Sequence, residues 1–211
     1  VILGGFGMDY YWVHVCCQDK PLRYSDFNIG DKLRNNADAL KERKEWLGTT
    51  KERLNRMIAE DCDGIITGLY EYWACYYPNF PRKTTFIPFP IRSYAHTADI
   101  SYAIPQKIKL FIGINKLRSE YKGTDIMLKA AQAIAEKYPE KVELRVAESL
   151  PFKQYVEMMN GSDAILDQLY SYTPSMNPLE AMARGIICIG GGEPENYEII
   201  HETQLKPILN V

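Results

Sequence analysis

The chain has 211 residues, 46% of them hydrophobic, 25% charged and 12% aromatic. That profile suits one large or two small globular domains and excludes disordered, collagen-like and low-complexity classes. Lys and Arg number 25 against 27 Asp and Glu, a net charge of −2, which argues against a nucleic-acid partner held by a strongly basic surface.

No apolar run approaches the roughly 18 residues of a membrane span and no secretion signal opens the chain, so a cytoplasmic protein is expected. Five scattered cysteines without a C-x-x-C motif, and three isolated histidines, imply free thiols and no metal site. Both ends fall inside apolar runs, VILGG and LKPILNV, and the expectation is a piece of a longer protein.

In chain order, Val1–Leu3 is a strand candidate followed by a Gly4–Gly7 turn and Asp9. Leu33, Ala37, Leu40 and Leu47 recur at helical spacing across Asp31–Leu47, with Gly48 as the stop. Thr49-x-x-Glu52 reads as the capping box of a second helix, which carries Leu54, Met57, Ile58 and Cys62 on one face. Residues 31–56 hold eight Lys/Arg against five Asp/Glu, either a solvated face or a contact for an anionic membrane surface. Strands at Gly64–Thr67 and Thr85–Ile87 flank an aromatic helix at Leu69–Tyr77.

Residues 93–106 read as a linker between a first domain, 1–92, and a second, 107–211. From there strands alternate with helices: strands at Ile108–Ile114, Val142–Val146, Ala164–Leu169, Ile186–Ile189 and Lys206–Leu209, helices at Thr124–Tyr138, Pro151–Asn160, Pro178–Arg184 and Glu195–Ile200. Such alternation means βαβ units, an α/β class with a Rossmann-like parallel sheet and helices on both faces.

Ligand chemistry in such a sheet belongs at the carboxyl ends of the strands. After Ile114 come Lys116, Arg118 and Lys122 around Glu120, just before a helix N-terminus: a diphosphate clamp or a solvated loop. After Leu169, Asn177 suits the N-cap, Pro178 the first helical position, and Glu180 falls at N3. Glu180 is then half of a capping box, a carboxylate for ribose hydroxyls, or both. After Ile189, Gly190–Gly192 permits unusual backbone angles or close approach to a ligand, with Glu193 beside it. Asp61-Cys62-Asp63 spells D-x-D, a metal-binding pattern in some sugar transferases, but its place at a helix end favours simple solvation. The aromatic run at residues 70–77 is core at helical spacing more readily than a stacking platform.

The segment Leu179-Glu180-Ala181-Met182-Ala183-Arg184-Gly185, followed by an apolar strand, a Gly-rich turn and Pro194-Glu195, resembles the signature of GT-B glycosyltransferases. It is most similar to the retaining, family-4-like enzymes of bacterial surface-polysaccharide synthesis. Lys122-Gly123-Thr124-Asp125 resembles that family's K-G-x-D segment, and Gly64–Ile91 the end of its acceptor-side domain. Two departures stand out. The first of the family's paired glutamates falls at Tyr172, and Ile114 stands where an Arg usually follows the strand's glycine.

The resemblance implies transfer of a sugar from a nucleotide-sugar, UDP-linked by family frequency, to a saccharide or lipid-linked acceptor, without cofactor or obligatory metal. Lys122, with Lys116 or Arg118, would stabilise the leaving diphosphate. Glu180, Ser175, Met176, Asn177, Tyr172, Gly191, Gly192 and Glu193 would line the donor site, and Asp9 would face the acceptor. A lipid-linked acceptor implies peripheral contact at the inner face of the membrane. The rival readings are a nucleotide-sugar epimerase on the same fold, against which no histidine stands in these loops, and a non-catalytic nucleotide-sugar-binding domain, which Tyr172 favours.

Overall fold

The computed structural model describes residues 1–92, 105–115 and 118–211. Lys116 and residues 93–104 of the expected linker lie outside the described residues. The chain is mixed α/β and divides into two compact units: Val1–Phe89 with Pro194–His201, and Pro90–Glu193 with Glu202–Val211.

In the first unit, β1 (Ile2–Gly5), β4 (Gly64–Thr67) and β5 (Thr84–Phe86) form a parallel sheet in the order β1-β4-β5. Ile2 stands opposite Gly64, and Ile65 opposite Thr84. Between β1 and β4 lie α1 (Tyr10–Gln18), a short hairpin of β2 (Asn28–Ile29) and β3 (Lys32–Leu33), α2 (Ala37–Trp46) and α3 (Thr50–Asp61). Helix α4 (Tyr70–Tyr76) follows β4.

Helix α1 is absent from the sequence expectation. Its segment, YYWVHVCCQ, has seven of nine residues buried, so no polar stripe marks a helical period. What starts it is Asp9, whose carboxylate accepts from the Trp12 N–H at 2.9 Å. Its Cys16 thiol meets that of Cys75 on α4 at 3.8 Å, deep in the unit. The core here gathers Tyr10, Tyr11, Ala59, Cys62, Ile65 and Tyr76.

Two local expectations need correction. The helix expected at Asp31–Leu47 begins only at Ala37, because Lys32–Leu33 pairs in the hairpin. At Thr49 the expected capping box is not made. The Thr49 hydroxyl donates back to the Glu45 carbonyl at 2.8 Å, while Glu52 reaches the Gly48 N–H at 2.7 Å instead of that of Thr49. Gly48 is left-handed, φ 72°, as a helix stop requires.

In the second unit, β6 (Ile108–Ile114), β7 (Val142–Glu148), β8 (Ala164–Leu166), β9 (Ile187–Gly190) and β10 (Ile208–Asn210) form a wholly parallel sheet in the order β7-β6-β8-β9-β10. Its helices are α5 (Ser119–Lys122), α6 (Thr124–Lys137), α7 (Phe152–Met159) and α8 (Met176–Met182). Successive strand residues alternate between two apolar layers. Phe111, Ile165 and Cys188 pack with Met159 of α7 and Ala181 of α8; Ile112, Ile114 and Leu166 pack with Met127 and Ala131 of α6 on the opposite face. Helices therefore cover both faces, as expected, in a generic Rossmann-like topology. The last helix, α9 (Pro194–Ile199), belongs to the first unit, where Glu195 is ion-paired with Arg23 at 2.5 Å.

Among the described residues no helix is long and apolar enough to cross a membrane. The five cysteines are all free thiols.

Candidate functional site

The order β7-β6-β8 reverses the direction of winding at β6, so a crevice opens between the carboxyl ends of β6 and β8, where open parallel sheets bind ligands. A cavity of about 260 Å³ lies there. Its walls come from β6 and its end (Gly113, Ile114, Asn115), Lys122, Thr124, β7 and its end (Ala147, Ser149, Leu150), α7 (Phe152, Tyr155), the residues after β8 (Asp167, Gln168) and Asn177.

Local structure aims Lys122 into this crevice. Its carbonyl accepts from the N–H groups of Leu169 and Tyr170 at 3.0 and 3.2 Å, which ties α5 to the loop after β8. Gly123 is left-handed, φ 70°, and a Cβ there would stand 2.7 Å from the Leu169 side chain. Only glycine meets both demands, the backbone angle and the close approach. Thr124 then opens α6, its hydroxyl 2.9 Å from that of Ser119.

The floor carries a residue the sequence reading passed over. The strand expected at Ala164–Leu169 ends at Leu166, and Asp167 follows it, 8% exposed. Burial pushes its carboxyl up to about 6, against the Lys122 ammonium and hydrogen bonds from Gln168. Its charge in turn adds to the burial that raises the Tyr155 hydroxyl and lifts the Cys188 thiol to about 12. Among the described lining residues Lys122 and Asp167 are the charged pair. An acid inside the apolar run AILDQL was the signal available in the sequence.

Of the residues expected to hold a donor, Lys122 and Asn177 line the cavity. Asn177 is not the N-cap, nor Pro178 the first helical residue, nor Glu180 the third. Helix α8 begins at Met176 with Ser175 before it, so Glu180 lies past the first turn and makes no capping box. Its carboxylate is instead ion-paired with Arg184, one turn on, at 2.5 Å. Ser175 accepts from the Gln168 side-chain amide at 3.4 Å, and Met176 is exposed. Tyr172 is 1% exposed, an interior side chain where the family pattern has a sugar-binding acid. Arg118 is exposed, its guanidinium 5.6 Å from the Tyr121 ring centre.

The glycine run has a packing reason. None of Gly190–Gly192 has a positive φ. A Cβ on Gly191 would stand 1.9 Å from the Ser171 carbonyl oxygen, and one on Gly192 2.7 Å from Ile208. The close approach is to the protein's own chain. Glu193 extends this contact, its N–H donating to the Tyr172 carbonyl at 3.2 Å.

Asp9 lies in the first unit. One carboxylate oxygen caps α1 and the other accepts from the Tyr76 hydroxyl at 2.8 Å. Burial raises its carboxyl in spite of these bonds.

Among the described residues no group of three or more His, Cys, Asp or Glu side chains is placed to hold a metal ion, Asp61 and Asp63 included. No protein-family model matches the chain, and a search of curated proteins returns no similar sequence.

Proposed function

We propose that this chain is the donor-binding part of a GT-B-type glycosyltransferase, a retaining enzyme that moves a sugar from a UDP-linked donor to a saccharide or lipid-linked acceptor. One observation carries the reading. Lys122 of the K-G-T-D segment and Asn177, just ahead of the L-E-A-M-A run, meet at one cavity in the crevice where the strand order reverses.

Retaining transfer builds negative charge on the departing diphosphate. Lys122 and the free N–H groups opening α6 offer pre-placed positive potential in that crevice. Loss of the Lys122 charge would cost about 2.7–4 kcal/mol of transition-state stabilisation, by analogy with loss of one oxyanion-hole donor. Glu180, ion-paired with Arg184, would accept the ribose hydroxyls. Arg118 and Glu193 belong to the flanking loops. Asp9 is assigned the start of α1 and not acceptor chemistry, since each of its oxygens already accepts a hydrogen bond within its own unit.

Calorimetric titration with UDP and GDP, on the wild type, Lys122→Met and Glu180→Ala, tests this. The expected result is saturable binding of one nucleotide, unchanged by EDTA and at least about tenfold weaker in each variant. Failure of both nucleotides to bind would overturn the reading. Tyr172, buried where the pattern has a glutamate, favours a second reading, a non-catalytic nucleotide-sugar binder. Release of labelled sugar from the donor in the presence of acceptor separates the two.

A further inference from the structure

The donor cavity holds a contradiction that points to how it is regulated. A diphosphate is an anion, yet the floor of the cavity is the carboxyl of Asp167, 8% exposed and facing the same space as Lys122. We propose that this cavity takes up an anionic ligand together with a proton, which is bound by the Asp167 carboxylate. The inference rests on the donor reading above and adds its coupling to pH.

The geometry sets the size of the effect. A sphere of about 260 Å³ is roughly 8 Å across, so a charge seated near the centre of such a space stands about 5 Å from both groups. At an effective dielectric constant near 20, one unit of negative charge at that distance raises a carboxyl's midpoint by about two pH units. Asp167 starts at about 6, so the bound ligand carries it above neutrality. Protonation of Asp167 then removes the negative charge that competes with the phosphates for the field of Lys122.

Among the described residues, the groups that face Asp167 come from four places. Lys122 approaches from α5, the Tyr155 hydroxyl from α7, the Cys188 thiol from β9, and Gln168 from its own loop. Burial and Asp167 itself raise both the phenol and the thiol, so neither loses its proton near neutral pH. The carboxyl is therefore the group that exchanges the proton with solvent.

The test uses UDP-glucose and GDP-mannose, diphosphate diesters whose phosphates do not titrate near neutral pH. Calorimetry of the intact chain in two buffers of different ionisation enthalpy counts the protons exchanged. Wild type is expected to take up about 0.7 proton per ligand at about pH 7.5, and its affinity to fall about tenfold in all between about pH 6.5 and 8. Asp167→Asn is expected to bind without proton uptake and with a flat pH profile. Infrared titration of the wild-type carboxyl gives a reading that needs no variant: its midpoint rises by about two pH units when ligand is present. Proton-free, pH-independent binding by the wild type, or the same profile in Asp167→Asn, would overturn the coupling and leave the donor reading standing. Absence of binding by either nucleotide-sugar would overturn both.

Discussion

The hydroxyl end of the Tyr155 ring packs directly against Gly113. A Cβ at residue 113 would stand 2.5 Å from the Tyr155 ring and 2.6 Å from its hydroxyl oxygen. The ring also packs edge to face on Phe111, two residues back on the same face of β6, with centroids 5.0 Å apart, so it has little room to give. The end of β6 is bare because the wall of the cavity rests on it.

Gly113→Ala is therefore expected to destabilise the chain by about 1–3 kcal/mol, the usual cost of overpacking, and to push Tyr155 into the cavity. Urea unfolding of Gly113→Ala, Tyr155→Ala and the double variant checks this. The double variant should be more stable than the sum of the single effects implies, since removing the ring removes the clash. Strict additivity would mean that the two residues do not compete for space.

A second expectation concerns pH and stability. Asp167 has a folded-state midpoint of about 6 against an ordinary 3.8, so the folded protein holds this proton more tightly than the unfolded chain. The stability it contributes is complete below about pH 3.8 and is lost as the pH rises through about 6, roughly 3 kcal/mol in all. Asp167→Asn does not titrate. Denaturation across the pH range should find the variant about 2–3 kcal/mol more stable than wild type near pH 7.5, with the gap closing towards pH 4. A gap that widens on acidification would contradict the assignment.

The glycine turn gives a contrast between two substitutions. Gly191→Ala sets a methyl group against the Ser171 main chain, which cannot move aside as a side chain can. A loss of roughly 3 kcal/mol or more is expected. Gly7→Ala meets nothing within 4 Å and should change stability by less than about 0.5 kcal/mol. Thermal unfolding of the pair decides whether Gly191 is kept for packing.

In the first unit, Asp9→Ala removes the cap of α1 and the acceptor of the Tyr76 hydroxyl together. A loss of about 1–3 kcal/mol is expected. Tyr76→Phe should cost less, since it leaves the cap intact. Equal losses would mean that the cap contributes nothing.

Much of this architecture was legible. The strands Gly64–Thr67 and Ile108–Ile114 have the bounds that their apolar runs suggest, and the alternation after residue 107 announces a parallel sheet. Helix α1 escaped because a helix buried nearly all round shows no period, and its one polar signal, Asp9, also reads as a turn residue. Lys122 was legible as a cation after the β6 strand, but strand order leaves no mark on a single sequence, so the reversal at β6 that opens the crevice could not be read. Asp167 was hidden by an apolar run that continues past the strand's end. The helix after β8 was expected but its start was misjudged, because Asn-Pro is a good opening pair and the chain turns helical at Met176 instead.

The most direct test of the proposed donor site is mapping of amide chemical shifts in the 15N-labelled chain as UDP or GDP is added. If the nucleotide seats at the end of β6, the shifted signals cluster at Gly113–Asn115, Lys122–Thr124, Ser149–Leu150, Asp167–Gln168 and Asn177. Shifts confined to the first unit, or no shifts at saturating nucleotide, would contradict it.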